Sequence, residues 1–399
     1  MTPPGIPCSA GETMVEAPER HFIEHEGHRL CVHAFDGEES LEYVFLHGGP
    51  GGRSELGFGE ALSGRHRTVM YDQFGGGMSD RLAEGDEISF RYYLDEARDV
   101  IPRISRGDRV LIGYSWGAAL AAGYAAGCDD PRLKGLVLVS PFLSGPVWTE
   151  DQISILSDIS PEYAERMRRY VDEGYIGPEA MELLEEIFER SLFMHEENRS
   201  KAKGMARVPT GEVCLRLWGR NDGIPIGPLR DFDITPRLRD IRVPTLIMYG
   251  SRDQVTRRSA ESFCDAIAGS ELLEIDGAGH YTLREEPGIY ADAIHRFTGR
   301  FGIDEDAAGH ALIGELWDPV PIRVFASPHY TVEKARCSIC GLETEDPGRS
   351  HITGHMYKGR IAVLDSSRFR KSHPLPPDKI LVRFLKGTLH DEVTSAGEA

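Results

Sequence analysis

The chain has 399 residues, too many for one small domain, and at ~100–200 residues per domain it divides into two or three units. Apolar residues make up 40% and charged residues 27%, which suits a globular chain able to bury a sizeable core. Forty-five basic against 64 acidic side chains leave a net charge of −19, a field that repels phosphate backbones and anionic lipid and argues against nucleic acid or a membrane surface as partner.

Met1 to Arg20 lacks a basic segment followed by an apolar run, so no secretion signal is expected there. From about His21 to Ser140, short β-branched runs alternate with helix-like segments. Tyr43–Leu46, Thr68–Tyr71, Arg109–Ile112 and Leu136–Val139 read as strands. Continuous apolar runs of this kind suit strands buried on both faces, and helical connectors between them argue for a mostly parallel sheet in an α/β fold. The most apolar stretch, Val110 to Ala126, is broken by Gly113, Ser115, Gly117 and Gly123 and is too short to span a bilayer. Over 141–231 the β-branched runs vanish. Helical spacing takes over, as in Glu179 to Phe193, where Met181, Leu184, Ile187 and Leu192 fall near one face. The α/β rhythm resumes at Thr245–Gly250 and Leu272–Ile275, and a helix over Tyr290–Arg300 closes it. The expected organisation is a core over 21–140 and 232–302, a helical cap over 141–231 overhanging the strand ends where ligands bind, and an extension over 303–399. No internal repeat is visible.

The chemistry concentrates at strand ends. Gly113-Tyr114-Ser115-Trp116-Gly117 follows a strand and precedes the Ala-rich helix Ala118–Ala126, the context in which G-x-S-x-G marks a nucleophilic serine on a sharp turn. A serine needs a base, and the base an orienting carboxylate. Asp253 follows the strand ending at Gly250, and His280 follows the strand Leu272–Ile275, in the order nucleophile, acid, base. Asp276 and His295 are the fallback acid and base; the first is too near His280 in sequence and the second lies within a helix. An oxyanion needs donors. The amide of Trp116 is one, and the turn His47-Gly48-Gly49-Pro50-Gly51 is the natural source of the second.

These motifs, with Tyr71-Asp72-Gln73-Phe74-Gly75-Gly76-Gly77-Met78-Ser79, resemble the signature set of the proline iminopeptidases, serine aminopeptidases of the α/β-hydrolase fold, and most of all the tricorn-interacting aminopeptidases. The likeness continues through Arg230–Thr235, Val243–Leu246, Gly250–Thr256 and Ala268–Leu272. It covers about 21–302, is weakest in the cap and is absent from the tail. The resemblance implies Ser115 as nucleophile, Asp253 as acid, His280 as base, and Gly49 and Trp116 as oxyanion donors, with no cofactor for catalysis. It also implies acidic side chains around the substrate's free α-amine, since a partly desolvated ammonium needs carboxylates. Here Asp222 stands, one methylene shorter, where the family's cap stretch ends in glutamate, and Gln254 stands where the nearest likenesses carry a second glutamate. Two readings follow: an aminopeptidase that removes an N-terminal residue, proline among the candidates, from short peptides, with Asp222 and other cap acids binding the amine, or an amidase or esterase whose acyl part lacks a free amine.

In the tail, Cys337, Cys340, His351 and His355 form C-x2-C-x10-H-x3-H, a set that can close a tetrahedral structural zinc site in a unit of little apolar content. The middle spacer is shorter than the common finger pattern and no ββα periodicity accompanies it. The bland alternative is two reduced cysteines in a turn and two surface histidines. The remaining cysteines make no disulfide framework, and a cytoplasmic protein is expected. The sequence leaves the oligomeric state open.

Overall fold

The computed structural model describes residues 18–174, 177–202, 205 and 211–299, and in the tail 334–337, 343–345, 354–357 and 360–366. Eight strands, β1 (Glu19–His25), β2 (His28–Phe35), β3 (Gly37–Leu46), β4 (Gly64–Tyr71), β5 (Arg109–Tyr114), β6 (Leu133–Val139), β7 (Thr245–Gly250) and β8 (Glu271–Ile275), form one sheet in the order β1-β2-β4-β3-β5-β6-β7-β8. β1 and β2 pair antiparallel with each other, β2 pairs antiparallel with β4, and every later pairing is parallel. The six apolar runs of the sequence are therefore β3 to β8, and the fold class is the expected mostly parallel α/β sheet.

Two strands precede them. β1 and β2 form a hairpin closed by Glu26 and Gly27, both at positive φ (47° and 83°), the conformation that suits the twist of a two-residue turn. β1 is largely exposed, with charged and histidine side chains on an edge, so it carries no apolar run to announce it.

Helices α1 (Leu56–Leu62), α2 (Phe90–Ile104) and α3 (Trp116–Gly127) fall between the strands up to β6, and α4 (Gly145–Ile159), α5 (Pro161–Asp172), α6 (Pro178–Ser191), α7 (Glu196–Arg199) and α8 (Glu212–Leu217) between β6 and β7. α9 (Arg257–Ala266) separates β7 from β8, and α10 (Thr282–Glu285) and α11 (Pro287–Thr298) follow β8. One apolar layer joins Leu111 to α2, α3 and α9 through Val100, Ala119 and Phe263. On the other face Val110 and Ile112 meet Phe58 of α1 and Ile294 of α11. Alternate residues of β5 thus enter different layers, which is why the central strands read as unbroken apolar runs.

The helices from α4 to α6 have a core of their own around Leu156, Met167, Leu184, Ile187 and Phe188. Leu192 joins the same core and the half-buried Met181 packs against it, so the face read from the spacing is the one turned inward. The chain leaves and re-enters the sheet at one place. Ser144 bridges Asp233, with Gly145 N–H donating to Phe232 O at 2.7 Å and Ile234 N–H to Leu143 O at 3.0 Å. In the tail, β9 (Lys334–Cys337), β10 (Glu343–Glu345), β11 (Gly354–Tyr357) and β12 (Arg360–Ser366) form an antiparallel sheet in the order β10-β9-β12-β11. Cys337 lies on β9 and His355 on β11, while Cys340 and His351 lie outside the described residues. Among the described residues, no helix is long and apolar enough to cross a membrane.

A buried acid docks the turn after β4. Glu96 of α2 is fully buried, and its Oε2 accepts the N–H of Phe74 at 3.1 Å while Tyr93 Oη donates to Phe74 O at 2.9 Å. Burial pushes its carboxyl up to about 8 from the ordinary 4.5, against the opposing pull of the Phe74 amide. Between those two pH values the native state holds a proton that the unfolded chain has released, so stability falls as pH rises through that window. Glu96→Gln is expected to remove a slope of about 1.4 kcal/mol per pH unit, a difference that urea unfolding at pH 5 and pH 8 would measure.

Candidate active site

The site begins with a backbone that only glycine permits. A β-carbon at residue 117 would lie 2.1 Å from Leu46 O, and one at residue 113 would lie 2.4 Å from Gly117 O. The N-terminus of α3 therefore presses directly on the ends of β3 and β5. The residue at the corner, Ser115, is forced to φ 53° and ψ −115°, a left-handed strain that a non-glycine residue adopts only when its surroundings over-determine it. Its amide donates to Val139 O at 2.9 Å, and its carbonyl accepts from Ala118 and Phe142 N–H. The hydroxyl is thereby lifted off the carboxyl edge of the sheet.

His280 comes from the loop after β8. Its N–H donates to Ser191 O at 2.7 Å, and its carbonyl accepts from Tyr114 Oη at 2.6 Å. Its Nε2 stands 3.1 Å from Ser115 Oγ and its Nδ1 2.8 Å from Asp253 Oδ1. Asp253 is buried. Its Oδ2 accepts from the Ser140 hydroxyl and Gly250 N–H, and its Oδ1 also accepts from Val255 N–H at 3.3 Å. With the carboxylate held, Nδ1 is the protonated ring nitrogen and Nε2 faces the serine as acceptor. The three residues read from the sequence thus meet in one hydrogen-bonded line. The fallback pair does not join them: Asp276 accepts from Ser251 Oγ, and His295 faces Tyr43 and His66 in α11.

The turn after β3 runs alongside. A β-carbon on Gly48 would stand 3.3 Å from Ser115 Cβ, so the turn closes tightly on Ser115, and Gly49 takes φ 141°. Trp116, at the first turn of α3, is fully buried. The amides of Gly49 and Trp116 therefore belong to two turns that flank Ser115.

On the insertion side, Asn221 Oδ1 accepts the amides of Gly223 and Ile224, and Trp148 Nε1 donates to Gly223 O at 2.8 Å. This tight loop fixes Asp222, whose carboxyl is pushed up to about 7 by desolvation, partly offset by Arg284 and the thiol of Cys214. Arg284 itself pairs with Glu55 at 2.7 Å and lies over the Tyr281 ring at 4.3 Å. Gln254 is buried, and its Nε2 donates to Gln152 Oε1 at 3.1 Å while Gln152 Nε2 donates to Gln254 O at 3.0 Å. Its side-chain amide is engaged with α4. Trp148 meets His280 edge-on with ring centroids 5.4 Å apart. Sequence reading missed Ser140, Gln152 and Arg284. Ser140 had a signal, since it ends the strand next to that of Ser115, where α/β sheets gather functional groups.

Residues 43–293 match the model of the alpha/beta hydrolase family. That match spans more than half of the chain, which therefore belongs to the alpha/beta hydrolase family and is a hydrolase. Its relatives narrow the likeness. The proline iminopeptidase of Thermoplasma volcanium is 30% identical over 264 residues, covering 65% of this chain and 89% of the relative. That of Heyndrickxia coagulans is 27% identical over 283 residues, covering 69% and 97%. A crystal structure of the proline iminopeptidase of Mycobacterium smegmatis shares the fold with a TM-score of 0.59 at 23% identity, covering 70% of this chain and 97% of that one. The chain takes its place beside the proline iminopeptidases, as its motifs lead one to expect.

The glycine argument is testable in pairs. Gly117→Ala sets a β-carbon against backbone that cannot yield and is expected to cost roughly 3 kcal/mol or more. Gly57→Ala, in α1 with nothing within 4 Å, is expected to be neutral or stabilising by up to ~1 kcal/mol. Thermal unfolding of both variants checks the contrast.

Proposed function

We propose that this chain is a serine aminopeptidase of the proline iminopeptidase type, releasing an N-terminal residue from short peptides or aminoacyl amides through an acyl-enzyme. The observation that carries the reading is the continuous line Asp253–His280–Ser115 with the Gly48–Gly49 turn packed against it. Ser115 Oγ attacks the scissile carbonyl while His280 Nε2 takes its proton, and Asp253 stabilises the imidazolium through Nδ1–H. The oxyanion accepts from the amides of Gly49 and Trp116. Collapse expels the amine, which takes its proton from His280; water then repeats the sequence and frees the acid. Asp222 is the receptor for the substrate's α-ammonium.

A second reading is favoured by Gln254. A neutral, buried amide bonded to Gln152 brings no charge to the acyl end of the groove, which suits an amide or ester without a free amine. For the tail, the spacing of Cys337, Cys340, His351 and His355 supports a structural zinc, which elemental analysis of the intact chain would detect. Small peptides, amides or esters are the partners that this reading calls for.

Turnover of prolyl and other aminoacyl p-nitroanilides, lost by on the order of 10⁴-fold in Ser115→Ala, is the expected result; cleavage of amine-free esters alone would give the second reading. The ammonium receptor must be ionised. KM for an aminoacyl anilide is therefore expected to rise as pH falls below about 7, and Asp222→Asn to raise KM and flatten that dependence between pH 5.5 and 7, read from initial rates.

A further inference from the structure

Gln73 is fully buried, and its side-chain amide bonds to both turns that flank Ser115. Its side-chain Nε2 donates to His47 O at 3.1 Å, in the turn after β3. Its Oε1 accepts the indole N–H of Trp116 at 2.9 Å, in the turn that opens α3. Its backbone N–H donates to His47 Nε2 at 3.0 Å, which leaves Nδ1 of that ring as the donor to Gly48 O at 2.7 Å. His47 is thus held in one neutral tautomer, and burial pulls its pKa down in the same sense.

Gln73 is itself anchored. Asp72, one residue before it, accepts the amides of Ser54 and Met78, and Phe74, one residue after it, is held by Glu96. The Trp116 ring is wedged edge-on against Phe90 and Tyr93, each with centroids 5.9 Å away. An oxyanion hole acts only if its donors stand at the position that the charge will take, without rearranging as it develops. Here the two amides come from separate turns, and the Gln73 side chain spans them.

We infer that Gln73 is a positioning residue that fixes the amides of Gly49 and Trp116 at their working separation, by bonding His47 on one side and the Trp116 indole on the other. The inference rests on the proposed acyl transfer at Ser115. It concerns the developing oxyanion and not the encounter with substrate, so its loss acts on the chemical step.

Fluorophosphonate inactivation of the full chain separates the two, because phosphonylation of Ser115 develops charge on an oxygen in the same hole. Gln73→Met keeps volume and removes both side-chain bonds. It is expected to lower the limiting inactivation rate by ~10- to 100-fold while the half-saturating probe concentration stays within about twofold. Trp116→Phe, which removes the indole N–H, is expected to lower the limiting rate in the same direction. The double variant is expected to be no slower than Gln73→Met alone, since both break one linkage. Unchanged limiting rates, a change confined to half-saturation, or single effects that simply multiply would overturn the proposal. Should Gln73→Met fail to fold, as thermal unfolding would report, the limiting rate of Trp116→Phe decides alone. Absence of labelling in the unaltered chain would remove the Ser115 reading and this inference with it, whereas labelling abolished by Ser115→Ala keeps the two failures apart.

Discussion

The site depends on a contact between pieces of main chain: the first turn of α3 lies against the carboxyl ends of β3 and β5 at a distance that leaves no room for a β-carbon at residue 113 or 117. The corner between strand and helix must be very sharp, and Ser115 absorbs the bend in a left-handed conformation. Strain of this kind costs on the order of 1–3 kcal/mol and persists because the surrounding layers, packed from both faces of β5, hold it. The hydroxyl is raised clear of the sheet, and the amide that follows it is left at a helix start, where N–H groups lack helical acceptors.

Asp253 is supported from the other direction. Asp253 sits in a loop whose following residues are bound to α4: Asp151 accepts from the hydroxyls of Thr256 and Ser259, and Gln152 exchanges bonds with Gln254. Side-chain hydrogen bonds therefore fasten the insertion to the loop of Asp253. Gln254, where the resemblance leads one to expect a second glutamate, serves as part of this fastening, which gives that departure a structural use. Across the groove, Arg284 reaches from α10 to Glu55 before α1, joining segments 229 residues apart.

Most of the sheet was legible because its central strands are buried on both faces and so carry unbroken apolar runs. The first hairpin was not, since β1 is an exposed edge whose histidines and glutamates disguise its period of two. Ser115, Asp253 and His280 could be picked out because each follows a strand end in the order that the turn motif anticipates. What surrounds them was hidden for a physical reason: Ser140, Gln73 and Gln152 act through side-chain bonds to residues 26 to 113 positions away, and no local pattern encodes such a partner. Gln73 stood inside a quoted motif, yet only the packed structure joins it to both His47 and Trp116. The facing of α6 was legible too: Leu184, Ile187 and Leu192 lie in the core that it shares with α4 and α5, and Met181 packs at its margin.

The Ser144–Asp233 bridge has a topological consequence. Exit and return share one doorway, and the stretch between them is tied back to the site at further points, through Asp151 and Gln152 of α4 and through Ser191 O, which accepts His280 N–H. Lengthening, shortening or exchanging that stretch leaves the order of β6 and β7 untouched, so it can be remodelled without rebuilding the sheet. The limits to that freedom are the Asp151 and Gln152 fastening and the Ser191 carbonyl, which any replacement would have to reproduce to keep Asp253 and His280 in line.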